Sequence, residues 1–142
     1  MNIPGILKSM LPCADSGSSK GRWTFEWHLL NGHQITVYYR RAGSVAGGHY
    51  HTGSDPSKNS GLFLLIYGRV KVRAYDTAQN QSIHLLDATN GPVELIIQPL
   101  VLHFFEALSR VIYIEYRVTR FDKNAPDVHS VKEWQEKFPK RF

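Results

Sequence analysis

The chain has 142 residues, of which 42% are apolar and 20% charged, which is the range of one globular domain. Lysines and arginines exceed acidic residues by 17 to 12, and the net charge of +5 favours anionic ligands without identifying one. The 11 glycines and seven prolines are too few for a collagen-like or low-complexity chain. The single cysteine, Cys13, excludes a disulfide within the chain and is typical of a reducing compartment.

No segment of the sequence is typical of a membrane span or a secretory leader. The longest apolar run, Leu62 to Tyr67, is far shorter than the roughly 20 residues that a helical span needs. Pro4, Gly5 and Lys8 interrupt the apolar residues at the start of the chain. We therefore expect a cytoplasmic protein that does not bind membranes.

The composition along the chain predicts three segments. Residues 1–21 form an N-terminal arm that ends in a linker rich in serine and glycine, residues 22–120 form the body, and residues 121–142 form a tail. No internal repeat is visible in the sequence. One domain with short extensions follows from this division.

The body of the sequence predicts short strands separated by turns. Apolar and polar residues alternate from Trp23 to Leu29, and Asn31-Gly32 then supplies a hairpin turn. Further strands are predicted at 34–41, 62–75, 82–86, 93–98, 103–107 and 110–120. On the last strand, one face is apolar and the other mostly polar: Ile112, Ile114, Tyr116 and Val118 against Tyr113, Glu115 and Arg117. This pattern indicates an all-β antiparallel sandwich or barrel.

The tail predicts one short helix. Ser130 and Glu133 have the spacing of a capping box, and Val131, Trp134 and Phe138 fall on one helical face. We expect this helix to pack on the sheet or on a partner chain.

Two histidines are separated by one residue. On an extended backbone His49 and His51 project to the same side, with Cα atoms about 7 Å apart, which suits a shared metal ion. Such a pair also arises by chance in a chain with seven histidines. The alternative interpretation is two hydrogen-bonded or surface histidines without a ligand.

The residues around this pair resemble the first signature of the cupin superfamily. Gly43 precedes His49 by the family's spacing, and Gly68 follows an apolar strand. The segment from Gln98 to Phe105, which contains His103, is similar to the second signature. The resemblance implies a jelly-roll (double-stranded β-helix) barrel that holds a small-molecule ligand inside.

In that family, histidines at these positions bind a divalent metal ion. The resemblance therefore implies metal ligation by His49, His51 and His103, with Zn²⁺, Fe²⁺, Ni²⁺ or Mn²⁺ as the ion. The position of the family's glutamate ligand falls on Gly61, so the sequence leaves the fourth ligand open. Three strand carboxylates have the placement to enter the barrel: Glu26, Glu106 and Glu115.

Three functions are compatible with this pattern. The first is a metal-dependent enzyme of the oxygenase or isomerase class, whose substrate would contact Arg40, Phe105 and Tyr113. The second comes from a narrower resemblance to cupins that isomerise nucleotide-linked keto-sugars without metal, and it makes His49, His51 and Tyr38 the proton carriers. The third is a non-catalytic module for ligand binding or dimerisation.

Basic residues and apolar strand faces suggest partners. Five basic side chains have two interpretations, a phosphate-binding surface or a solvated outer strand face: Arg40, Arg41, Arg69, Lys71 and Arg73. Nucleic acid is not expected, because the aromatic residues do not alternate with basic ones. A homodimer is expected, since small barrels with exposed apolar strands often pair.

Overall fold

A computed structural model describes residue 5 and residues 7–140 of the chain. Residues 1–4, residue 6 and residues 141–142 lie outside the described part, and with them much of the start of the predicted arm. The described strands are β1 Cys13–Gly17, β2 Arg22–His28, β3 Gln34–Arg40, β4 Val45–Tyr50, β5 Gly61–Tyr67, β6 Arg69–Tyr75, β7 Gln81–Asp87, β8 Val93–Ile97, β9 Leu102–Ala107, β10 Val111–Arg117 and β11 His129–Ser130. One α-helix, α1, spans Val131–Lys137.

The strands form two antiparallel sheets. The first has the order β1-β2-β3-β10-β5-β8, and the second has the order β11-β4-β9-β6-β7. Strands distant in sequence pair with each other, since β3 and β5 flank β10 while β4 and β6 flank β9. Each sheet thus contains both early and late strands, and the chain repeatedly crosses between sheets. The predicted all-β jelly-roll barrel is confirmed.

The six-stranded sheet is apolar on its outer face, whereas its inner face has a polar part and an apolar part. At its centre, Ile114 is the register partner of Val37 and of Leu64. One residue further along, Glu115 pairs with Thr36, and both are buried inside the barrel. An antiparallel sheet usually shows the reverse pattern, with its apolar face toward the core.

An apolar cluster lies between the two sheets. Its buried members come from strands of both sheets: Leu65, Val70, Val72, Ala107, Val111 and Tyr113. Phe63 and Phe105 pack against this cluster and also line the cavity beside it. The core therefore fixes the distance between the sheets next to the cavity.

The helix α1 packs on the outside of the five-stranded sheet. Ser130 Oγ accepts a hydrogen bond from the backbone N–H of Glu133 at 3.1 Å, and Glu133 accepts one from the backbone N–H of Ser130 at 2.6 Å. Trp134 is 2% exposed and forms a second apolar cluster with Tyr50 and Leu102. The predicted helix and its capping box are confirmed.

The N-terminal arm is part of the sheet over its second half. Cys13–Gly17 pairs antiparallel with β2, and Ser18–Lys20 forms a single 3₁₀ turn before β2 begins. The predicted linker is thus ordered structure, because the edge of β2 offers backbone groups that need hydrogen-bond partners. None of the helices formed by the described residues is long and apolar enough to cross a membrane.

Candidate metal centre

The three predicted histidines meet inside the barrel. His49 on β4 is the register partner of His103 on β9, and His51 follows the end of β4. The centroid of the His49 ring lies 4.8 Å from that of His51 and 4.8 Å from that of His103. One ring nitrogen of each histidine lies within 4.8 Å of the other two.

A glycine lets the two histidine strands approach each other. Gly47 has φ of +87°, and a Cβ atom there would lie 2.6 Å from the carbonyl oxygen of His103. That distance is far below van der Waals contact with backbone, which cannot move aside easily. The register of β4 on β9 is irregular between Gly47 and His49. This local irregularity places His49 directly opposite His103.

All three imidazoles are neutral at physiological pH. Burial, reinforced by the neighbouring His49, lowers the pKa of His103 to about 3. Burial, His51 and Lys58 lower the pKa of His49 to about 4. Burial also lowers the pKa of His51. A neutral imidazole is the form that binds a metal ion, so these nitrogens are ready to act as ligands.

Backbone carbonyls fix the tautomer of two histidines. His51 Nδ1 donates to the carbonyl oxygen of Asp127, and His103 Nδ1 donates to that of Val101 at 2.9 Å. A carbonyl oxygen only accepts, so both Nδ1 atoms carry the proton. Nε2 of each ring is therefore the free ligand atom. Metal-binding histidines in proteins are typically oriented in this way.

Asp127 holds the segment after His51 in place. Its carboxylate accepts hydrogen bonds from Thr52 N at 2.9 Å, Thr52 Oγ1 at 2.9 Å and Gly53 N at 2.8 Å. Burial alone would raise the pKa of the Asp127 carboxyl, but these hydrogen bonds lower it. The tail thus positions a ligand through both its backbone and a buried carboxylate. No sequence pattern predicted this role, because residue 127 lies in an irregular segment.

An ion network occupies the wall beside the histidines. Lys58 Nζ and Glu115 form a buried ion pair, and Arg117 pairs with Asp55 and lies 3.7 Å from the Glu115 carboxylate. Glu115 is thus the strand carboxylate that lines the cavity of the histidines, while Glu26 lies on the same inner face opposite Thr36. Asp55 caps a short 3₁₀ turn at Ser57. The Lys58 charge helps to lower the pKa of the histidines. The sequence pattern does not distinguish Lys58, because it lies in the polar loop between β4 and β5.

The residues predicted to bind substrate or carry protons surround one cavity of about 340 Å³. Tyr38, Arg40, Phe105 and Tyr113 line it together with all three histidines. The rings of Tyr38 and Tyr113 stack with centroids 4.7 Å apart, and the Tyr38 hydroxyl donates to Glu115 at 3.3 Å. Burial, reinforced by Glu115, raises the pKa of Tyr38 well above 10. Tyr38 is therefore a protonated donor at neutral pH.

The predicted basic surface is not continuous. Arg40 is 7% exposed and lies inside the barrel, whereas Arg41, Arg69 and Arg73 are exposed outside it. Lys71 lies on the outer side of β6 and pairs with Glu106. The alternation of strand side chains separates these groups. The prediction of one phosphate-binding surface from all five residues is therefore wrong.

The histidine cluster fits a divalent metal ion. In a tetrahedral Zn²⁺ site with Zn–N distances of 2.0–2.1 Å, two ligand nitrogens are about 3.4 Å apart. The ligand atoms here lie within 4.8 Å of one another, so the widest pair has to close by about 1.4 Å, which requires rotation of the imidazole side chains. Three neutral nitrogen ligands suit Zn²⁺, Fe²⁺ or Ni²⁺ and leave further coordination positions open. No carboxylate from the described residues joins the cluster.

Comparison with known proteins gives a structural answer only. No protein-family model and no curated protein sequence matches the chain. Among solved structures, the capsular polysaccharide assembling protein CapF from Staphylococcus aureus is similar, with a TM-score of 0.72 and 16% identity over 87% of this chain. The chain covers 32% of that protein.

Oxalate decarboxylases are also similar in structure. The enzyme from Lactobacillus farciminis, solved as a formate complex, matches with a TM-score of 0.64 and 16% identity over 95% of this chain. A variant of OxdC from Bacillus subtilis matches with the same TM-score and 15% identity. This chain spans 40% and 36% of those two proteins, so it corresponds to about a third of each of the three matched proteins.

These likenesses define the class of the fold. The chain has the cupin fold, a double-stranded β-helix, as its two signature-like segments predicted. Its barrel carries a cluster of three histidines inside. At this level of identity the neighbours show the fold, and their activities do not transfer to this chain by similarity alone.

Proposed function

We propose that this protein is a metal-dependent cupin enzyme that acts on a small molecule inside the barrel. The observation that carries the proposal is the convergence of three neutral imidazoles on one point of the cavity, where His51 and His103 are buried and His49 is half-buried. A buried cluster of titratable groups in a cleft is the usual mark of a functional site. The bound ion would polarise a substrate oxygen or hold dioxygen.

The chain's own residues would position the substrate opposite the histidines. Tyr38 and Tyr113 present a stacked aromatic wall, and Phe105 extends it, since its ring is nearly parallel to that of Tyr113 with a centroid distance of 5.8 Å. The Tyr38 hydroxyl offers a proton donor, while Arg40 offers positive charge. These groups support the predicted roles of Arg40, Phe105 and Tyr113 in substrate binding.

Metal content tests the proposal. Protein produced without a histidine tag and purified without chelators should contain close to one transition metal ion per chain, measured by inductively coupled plasma mass spectrometry. His103→Ala should lose that ion, whereas His84→Ala, an exposed histidine on β7, should retain it. Wild-type protein that is free of metal, and is not stabilised by added Zn²⁺, Fe²⁺, Ni²⁺ or Mn²⁺, would contradict the proposal.

A metal-free isomerase is the second candidate. It is favoured by the placement of Tyr38 in the same cavity as His49 and His51, which gives two neutral bases and one protonated hydroxyl. Such a set moves a proton between adjacent sugar carbons. Turnover of nucleotide-linked keto-sugars by metal-free protein, lost in His51→Ala, would select this function over the first.

We also propose that the chain forms a homodimer through the outer face of the six-stranded sheet. Five of its strands, β2, β3, β5, β8 and β10, place 14 side chains on this face, and Glu94 is the one charged residue among these 14: Trp23, Phe25, Trp27, Ile35, Val37, Tyr39, Leu62, Leu64, Tyr67, Glu94, Ile96, Ile112, Ile114 and Tyr116. Several are substantially exposed, including Tyr67 at 57% and Trp27 at 50%. Monomeric proteins rarely expose so large an apolar patch.

The size of this face fits a second copy of the chain. Four strands of seven residues and β8 with five, spaced at about 4.8 Å and rising about 3.3 Å per residue, cover at most roughly 24 by 23 Å. With the relief of the side chains this is on the order of the 800 Å² that one partner buries in a standard interface. Two such sheets stack face to face in β-sandwiches.

A cytoplasmic location stays a prediction, supported by the lone cysteine.

A further inference from the structure

Two arginines face each other on the inner side of the six-stranded sheet. Arg22 on β2 is the register partner of Arg40 on β3, and both line the cavity that contains the histidines. Like charges directly opposite each other on a sheet are destabilising. A charge removed from water normally persists only with a partner. Arg40 is 7% exposed, so this arrangement requires an explanation.

The remaining cations of the cavity wall are matched by carboxylates. Lys58 and Arg117 both lie against Glu115, and Arg117 also pairs with Asp55. In the described part of the chain, the ion pairs include neither Arg22 nor Arg40. Glu26, on the same inner face of the sheet, pairs with His28 instead, so Arg22 and Arg40 have no carboxylate within ion-pair distance among the described residues.

The hydrogen bonds of the two arginines are also incomplete. Arg40 Nη1 donates to the carbonyl oxygens of Trp23 and Tyr39 at 2.8 Å, and Nη2 reaches Thr24 Oγ1 at 3.3 Å. These acceptors are neutral. The Nε atoms of both arginines are buried and have no hydrogen-bond partner among the residues described. The edge of the guanidinium formed by Nε and Nη2 is one of the two edges that bind an oxyanion through two parallel bonds.

We infer that Arg22 and Arg40 form an anion subsite that binds the carboxylate or phosphate group of the substrate. This assignment rests on the proposed function, because it places the anionic group at the arginines and the reacting end of the same molecule at the histidines. The two arginines lie on one sheet and the histidines on or next to the other, across a cavity of about 340 Å³. The substrate class is therefore a small acid with a second functional group.

Binding of the anion involves a small side-chain movement. The Nε atoms are covered by neighbouring atoms, so an oxyanion reaches them only after the guanidinium groups rotate. The bound oxyanion then supplies the missing counter-charge and the missing acceptors together. The four oxygens of phosphate and the two of a carboxylate both satisfy this requirement, and the experiment separates them.

Binding of small anions to metal-free protein tests this assignment. The probes are malonate for the carboxylate arm and inorganic phosphate for the phosphate arm, titrated at constant ionic strength and followed by calorimetry and by thermal unfolding. At least one probe should bind the wild type with a Kd in the millimolar range or below. Arg22→Gln should weaken that binding at least tenfold, and Arg69→Gln, an exposed arginine on β6, should not change it.

The melting temperature without any anion gives a second criterion. If the arginines repel each other, Arg22→Gln should melt at the same temperature as the wild type or higher. If Arg22 has a purely structural role, Arg22→Gln should melt at a lower temperature than the wild type. Arg40→Lys keeps the buried charge but removes the planar guanidinium group. It should also lower the affinity for the anion at least tenfold. Absence of binding by both probes, or equal binding by Arg22→Gln, would overturn the assignment.

The outcome is separable from that of the metal proposal. Anion binding by metal-free wild type and by His103→Ala, with a full metal content in Arg22→Gln, supports two independent subsites. Tight Zn²⁺ binding without anion binding would overturn the subsite alone. Anion binding by a protein that takes up no metal would overturn the metal proposal alone.

Discussion

Replacing Asp127 should destabilise both the fold and the histidine cluster. Asp127→Ala removes an acceptor of three hydrogen bonds of 2.8 or 2.9 Å from Thr52 and Gly53. The carboxylate is buried, with 1% of its side chain exposed, so the donors left behind have little access to water. Each hydrogen bond to a charged group contributes about 1.5–3 kcal/mol, and such contributions are not additive. We expect a loss of about 3–5 kcal/mol, the range for breaking a buried charged network.

Urea unfolding followed by tryptophan fluorescence measures this loss. Asp122→Asn provides the control, because Asp122 is exposed and accepts one hydrogen bond, from the backbone of Asn124. It should change the free energy of unfolding by less than about 0.5 kcal/mol. Asp127→Ala should also lower the metal affinity about 10–100-fold, because the carbonyl of residue 127 orients His51. A loss below 1 kcal/mol in folded Asp127→Ala, with unchanged metal binding, would refute this reasoning.

Three further predictions concern pH, backbone packing and assembly. The metal-free protein should lose stability as the pH falls from 7 to 4, because unfolded imidazoles take up protons near pH 6.5 while His49 and His103 in the fold do so at about 4 and 3. Urea unfolding at several pH values should show a smaller loss in His49→Gln, and a flat profile would contradict the lowered pKa values. Gly47→Ala should lower the free energy of unfolding by about 2 kcal/mol more than Gly43→Ala in the same assay, because both glycines have positive φ but only a Cβ atom at residue 47 would meet backbone. Equal losses in the two variants would argue against the close approach of Gly47 to His103. Ile114→Lys should yield monomers in light scattering whereas Leu85→Lys, exposed on β7, should not, and a monomeric wild type would refute the dimer.

The sequence predicted most strands because their side chains alternate, but it did not predict their limits. The run 62–75 was predicted as one strand, and the structure divides it at Gly68, whose φ is +86°. A Cβ atom there would lie 2.1 Å from the carbonyl oxygen of Arg110. This turn depends on a contact with a distant residue. Local alternation contains no information about that contact.

Periodicity also does not say which face of a strand lies inside. On β10 the polar residues Glu115 and Arg117 are buried and Ile114 is on the outer face. The inversion arises because the interior is a charged cavity and the outside is an apolar surface. The alternation of side chains alone is compatible with either face of the strand pointing into the barrel.

The histidine pair followed from its spacing, whereas the third histidine came only from the family resemblance. His103 reaches His49 through the pairing of β4 with β9, and this pairing is a property of the whole fold. Lys58 and Asp127 were missed because both lie in irregular segments without a periodic pattern. Arg22 was not distinguished from other basic strand residues, since its meaning depends on Arg40 opposite it.

The most direct test of the metal centre is a crystal structure of untagged protein with anomalous diffraction measured at the absorption edges of zinc, iron, nickel and manganese. The structure described here predicts one anomalous peak inside the barrel, about 2.0–2.2 Å from a ring nitrogen of each of His49, His51 and His103. Crystals soaked in these metals that show no peak there, with the three imidazoles hydrogen-bonded to water or to each other, would contradict the account.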